Sequence, residues 1–110
     1  MKGVKTAMNK HINLQLSEIV SNYFLCKNQF TILSFSSGKI NYSNPYYIYY
    51  RDVELALNRL QDEERIIIKN DYFNNVTGHW WRRFFTIDEY NAHKRRAIRN
   101  FVRNFYEIHS

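Results

Sequence analysis

TIDEYNAHKRRAIRNFVRNFYEI, residues 86–108, is the stretch whose reading decides the fold. Thr86 and Glu89 stand three apart in the capping-box pattern, in which a hydroxyl and a carboxylate reciprocally satisfy the orphan N–H groups of a helix start. At about 100° per residue, Ile87, Tyr90, Ala97, Ile98, Phe101, Val102 and Phe105 gather on one face, so the segment predicts one long amphipathic helix from Ile87 to about Ile108. Asp88, Glu89, Ala92, Arg95, Arg96, Arg99 and Arg103 fall on the opposite side. Lys94 and the four arginines give a local charge of +5 between His93 and Asn104, with no acid among them.

Working back from Thr86, Thr77 is a candidate cap for a third helix. It would carry Trp80, Trp81, Phe84 and Phe85, rings bulky enough to fill the centre of a small core. Asp62, Glu63 and Glu64 open a second helical stretch with Ile66, Ile67, Ile68, Tyr72 and Phe73, because early carboxylates suit the positive end of a helix dipole; Asn74 and Asn75 stop it. Asp52 is the expected N-cap of a short helix bearing Val53, Leu55, Ala56, Leu57 and Leu60. Residues 36–46, with Gly38, Asn41, Ser43, Asn44 and Pro45, have the only loop-like composition and mark a hinge. The tyrosines Tyr46, Tyr47, Tyr49 and Tyr50 follow it and read as a patch tying the two halves together.

Further upstream, Leu14, Leu16, Ile19, Val20, Tyr23, Phe24 and Leu25 recur at helical spacing and predict a packing helix over 12–26, whereas Gln29 to Phe35 is ambiguous, strand-like in its Thr, Ile and Phe but ended quickly by Ser36, Ser37 and Gly38 with no second strand evident. The fold class expected is all-α: a small helical bundle with a C-terminal helix-turn-helix and a long basic recognition helix. The division is a helical N-terminal extension, 1–45, and a helix-turn-helix region, 46–110, within what reads as one compact domain.

At 110 residues the chain has room for one real core. Apolar residues at 45% and aromatics at 17%, with one proline and three glycines, exclude a disordered tail or a loop-rich extracellular module. Cys26 is the sole cysteine, which rules out an intramolecular disulfide or a cysteine-based zinc site. Lys2, Lys5 and Lys10 precede no apolar run fit for a signal peptide or membrane span, and a cytoplasmic protein without membrane partners is expected. The net charge of +6 favours an anionic partner.

That partner is expected to be double-stranded DNA. Residues near the start of a major-groove helix meet base edges while later arginines lie against phosphates, and the guanidinium fork suits both tasks. Glu89, Asn91, Ala92, Arg95 and Arg96 are the candidate base-facing positions, and Arg82, Arg83, Arg99 and Arg103 the candidate phosphate contacts. A homodimer on a palindromic site is compatible with this reading. The alternative is an interaction module that binds RNA polymerase or another regulator through Asp62, Glu63, Glu64 and the tyrosines without reading DNA. An enzyme is not expected: His11, His79, His93 and His109 form no metal-binding motif, no carboxylate pair marks a cleft and no glycine-rich loop cradles phosphate, so neither cofactor nor metal is anticipated.

The segment from Asp52 to Phe105 also resembles a known pattern. Leu55, Leu60, Glu64-Arg65, Ile68 and Tyr72-Phe73, followed by Trp80-Trp81, Phe84-Phe85, Thr86, Tyr90, Ala97-Ile98 and Phe101, are similar to the ArpU-type phage transcriptional regulators, or autolysin regulatory proteins. More distantly, they resemble the C-terminal promoter-reading region of bacterial sigma factors. The resemblance implies a helix-turn-helix transcription regulator of a phage or other mobile element. Sigma factors usually carry a glycine in the turn, whereas here Phe85 runs directly into Thr86.

Overall fold

The computed structural model describes the backbone of residues 2–109 and the side chains of residues 10–109, and every regular element among them is helical. Helix α1 spans Lys2–Ser37, α2 Pro45–Asn58 and α3 Asp62–Ile68; α3 continues as a π-helical turn over Lys69–Phe73. A single 3-10 turn at Trp80–Arg83 precedes α4, Ile87–Ile108. The helices form a bundle around one apolar cluster. It takes Leu16, Ile19, Val20 and Tyr23 from α1, Val53, Ala56 and Leu57 from α2, Ile68 from α3, and Ala97, Ile98, Phe101, Val102 and Phe105 from α4. Spacings of three and four place each set on one helical face, so α1 shares its core with the C-terminal segment.

Helix α1 runs well past residue 26. The stretch 29–35 is helical because its contacts override the β preference of Thr, Ile and Phe. The Phe30 ring packs on Tyr47 at 5.0 Å and Tyr50 at 5.9 Å, and the Thr31 hydroxyl donates to the Lys27 carbonyl at 2.8 Å, one turn back. Gly38 stops the helix at φ +68°, a left-handed conformation that glycine adopts without steric penalty, and its N–H closes on the Ser34 carbonyl at 3.0 Å. At about 1.5 Å per residue α1 is comparable in length to the whole molecule, whose longest extent is 50 Å. Its outer side leaves Leu14, Leu25, Ile32 and Phe35 in solvent. Among the described residues no helix is long and apolar enough to cross a membrane.

Asp52 is not the cap of α2. The helix starts a full two turns earlier, where the Asn44 side chain accepts from the Tyr46 N–H at 2.8 Å and Pro45 takes the first-turn position. Asp52 is instead only 2% exposed, its carboxylate meeting the Arg51 guanidinium at 2.9 Å and His109 Nδ1 at 2.8 Å. Tyr49 packs on Phe105 and His109, at 5.1 and 5.0 Å, so the tyrosine patch ties α2 to both α1 and α4.

The acids at the start of α3 are less free than their sequence position suggests. Glu64 is buried, accepting from the Gln61 N–H at 3.3 Å and the Asn100 amide at 2.9 Å. Arg65 donates to the carbonyls of Leu57 and Leu60, at 3.2 and 2.9 Å, and thereby satisfies the open C-terminal end of α2. The Glu64-Arg65 pair thus fixes the α2–α3 corner and the approach of α4.

Candidate nucleic-acid interface

The start of α4 is built from local chemistry. The Thr86 hydroxyl accepts from the Glu89 N–H at 3.2 Å, and the Glu89 carboxylate accepts from the Thr86 N–H at 2.9 Å. These hydrogen bonds favour the charged form and hold the Glu89 carboxyl below its ordinary range. One oxygen of Glu89 is therefore committed to the cap.

What orients that helix start is a cluster around Asp71. Its carboxylate accepts from Trp80 Nε1 at 2.8 Å and from the Tyr90 hydroxyl, and it pairs with the Lys94 ammonium at 3.1 Å. Trp81 stacks on Tyr90, with ring centres 4.7 Å apart and planes 11° from parallel. Lys94 lies 5.4 Å over both Tyr72 and Tyr90. Burial, reinforced by the Asp71 hydrogen bond, pushes the Tyr90 hydroxyl well above its ordinary pKa, so it remains a proton donor to Asp71 at neutral pH. The π-helical turn of α3 carries Asp71, and the arrangement clamps the Trp80–Arg83 turn onto the first turns of α4.

This clamp replaces the third helix expected from the sequence. Asn75 at φ +49° and Gly78 at φ +77° break the chain on either side of Thr77, and only one 3-10 turn follows. Trp80 and Trp81 are half-buried, their rings resting against Tyr90, and Phe84 is 64% exposed. The tryptophans brace the edge of the bundle; Phe101, fully buried and edge-on to Phe73 at 6.2 Å, fills its centre. The connection from α3 to α4 occupies residues 74–86 and contains that 3-10 turn, which residues 84–86 join to α4. Replacing Asp71 with alanine is expected to lower stability by about 1–3 kcal/mol, since it strands Lys94 and removes the acceptor of Trp80 and Tyr90. Denaturant unfolding checks this; the tryptophan emission should also shift red as residues 80–83 loosen.

Among the described residues the ion pairs of lysine and arginine are Arg51–Asp52, Arg59–Glu107, Arg65–Asp62 and Lys94–Asp71. None takes Arg82, Arg83, Arg95, Arg96, Arg99 or Arg103, all of which are exposed. Arg96 contacts only His93 Nδ1, at 2.9 Å. Ala92 is half-buried and Asn91 exposed, so the outward side of α4 is one continuous strip from Asn91 to Arg103. Arg82 and Arg83 sit on the 3-10 turn beside its first end. Ile87, assigned to the apolar face by periodicity, is largely exposed because the bundle beneath α4 begins at Tyr90.

Sequence reasoning missed Asp71, Lys94 and Asn100 as the groups that fix this strip. A signal existed for Asp71: one acid within Lys69–Phe73, upstream of indoles whose N–H groups need an acceptor when buried. Compared with protein-family models, with curated proteins and with solved structures, the chain matches none.

Proposed function

We propose that this protein is a sequence-specific binder of double-stranded DNA that regulates transcription, with α4 as the recognition helix of a helix-turn-helix-like unit. The observation that carries the reading is the outward strip of α4, where four guanidiniums stand without a carboxylate partner on a helix held rigid from beneath. Asn91, Ala92, Arg95 and Arg96 serve as base-facing positions. Arg82, Arg83, Arg99 and Arg103 hold backbone phosphates, and Glu89 adds its free oxygen at most, the other being engaged by the cap. The Trp80–Arg83 turn stands in for the first helix of the unit. In this reading the protein binds rather than catalyses, without a cofactor. The assignment to transcription on a phage or other mobile element rests on the sequence resemblance alone.

Of the acids on which the competing reading rests, attachment to RNA polymerase or another regulator, Glu64 is buried, whereas Asp62 and Glu63 stay exposed. A salt titration separates the two readings. Binding through several phosphates weakens log-linearly with salt, by about 0.9 in slope for each contact on duplex DNA. Arg95→Ala is expected to cost roughly 1–3 kcal/mol on the cognate site and little on random duplex, as a base contact requires. An equal loss on both would reassign Arg95 to the backbone, and a salt-independent affinity would remove DNA from the account.

A further inference from the structure

A groove of about 400 Å³ lies between the first half of α1 and the first half of α4. Its rim carries the amides of Asn13 and Asn91 and the cations Lys94, Arg95 and Arg99, and no carboxylate lines it. Lys94 is already neutralised by Asp71, so the groove presents the two guanidiniums that no acid of the described residues engages. Ile12 and Ile98 supply apolar walls, which lower the local dielectric and strengthen the field of those two charges over that on open surface. Two planar guanidinium forks are donors only, and two side-chain amides can turn their N–H₂ groups toward the same ligand, which suits tetrahedral oxyanions: arginine binds phosphate oxygens bidentately, and amides fill the remaining acceptor sites.

We propose that this groove is a phosphoryl-binding site shared by α1 and α4, with Asn13 as the contribution of α1. Where the phosphoryl group belongs to a DNA strand, the proposal rests on the DNA-binding reading and extends the interface beyond the C-terminal region. The strand would pass along the flank of α4, with one backbone phosphate seated between Asn13 and Arg99 beside the base-facing Arg95, which sets the angle of the recognition helix relative to the duplex. Where it belongs to a free nucleotide, occupancy would withdraw Arg95 and Arg99 from the DNA-facing strip.

The test uses the full chain. Asn13 is exposed, so its substitution leaves the core intact. Asn13→Lys is expected to raise duplex affinity severalfold at low salt and to steepen the log–log salt dependence by roughly 0.9, the increment of one added phosphate contact. Asn13→Asp should lower affinity by a similar factor. In a second arm, inorganic phosphate and a deoxynucleoside monophosphate are titrated into the protein without DNA while the side-chain amide signals of Asn13 and Asn91 are followed by NMR. A changed salt slope assigns the site to a backbone phosphate. An unchanged slope, with saturable amide shifts that Arg99→Ala removes, assigns it to a free phosphate ester. The absence of both responses overturns the proposal. Should Arg96→Ala and Arg103→Ala, which lie away from the groove, also leave duplex binding unaltered, the DNA-binding reading fails as well, and the phosphate arm alone then decides the groove.

Discussion

Replacing Arg96, Arg99 and Arg103 together with alanine is expected to weaken duplex binding by on the order of a thousandfold or more at physiological salt, with little change in the unfolding midpoint. Arg99 and Arg103 would each lose a charge-assisted hydrogen bond to phosphate of about 1.5–3 kcal/mol and Arg96 a base contact of about 1–3 kcal/mol, which together amount to about three decades of affinity or more at 1.4 kcal/mol per decade. The salt slope should flatten by close to 0.9 for each of the two phosphate contacts removed. The fold should survive because the three side chains are exposed and, among the described residues, pair with no carboxylate; surface changes of this kind stay within about 0.5 kcal/mol. Fluorescence anisotropy on a labelled duplex across a salt series, beside a thermal melt, measures both quantities. Retained affinity in the triple variant would remove α4 from the interface, and a collapsed melt would mean that the arginines brace the bundle.

Phe101→Ala is expected to have the largest effect on folding, a loss of about 3–5 kcal/mol, which is a large part of the total stability of a domain this small. The ring is fully buried between α4 and the other helices, edge-on to Phe73, and removing it leaves a cavity that a bundle closed on several sides cannot collapse. Trp81→Ala provides the contrast. Its half-buried ring lies on Tyr90 at the bundle edge, so its removal should cost about 0.5–1.5 kcal/mol, the scale of one aromatic stack. Urea unfolding of both variants ranks them. Equal losses would put the tryptophan inside the core after all.

That contrast shows where the sequence could be read and where it could not. The two tryptophans are the largest side chains in the chain, and size alone nominated them for the centre. Their place at the edge follows from Asn75 and Gly78, whose positive φ values break the backbone before a helix can form, and from Asp71, which offers the Trp80 N–H an acceptor only once α3 and α4 are assembled. Asp52 looked like a helix cap because a carboxylate before an apolar run usually is one. Its partner His109 lies 57 residues away, a pairing that no local pattern announces. Glu64 resembled a solvated acid for the same reason; its bond to Asn100 spans 36 residues. Among the candidate interface residues, the outward direction of Arg95, Arg96, Arg99 and Arg103 was legible from periodicity and the engagement of Glu89 from the capping-box spacing, whereas the contribution of Asn13 to a groove was not.

The sequence by itself determined α4: its start, its length and its two unlike sides, because capping and helical periodicity act between residues three or four apart and need no other part of the chain. It also determined that the molecule is helical, since no alternating apolar pattern competes over any long stretch. Only the tertiary structure decided that α1 joins the same core, that the tryptophans form a brace, and which cations stay unpaired. Those outcomes depend on buried polar groups finding partners from distant segments, and the free energy of such a bond exists only after the helices have come together.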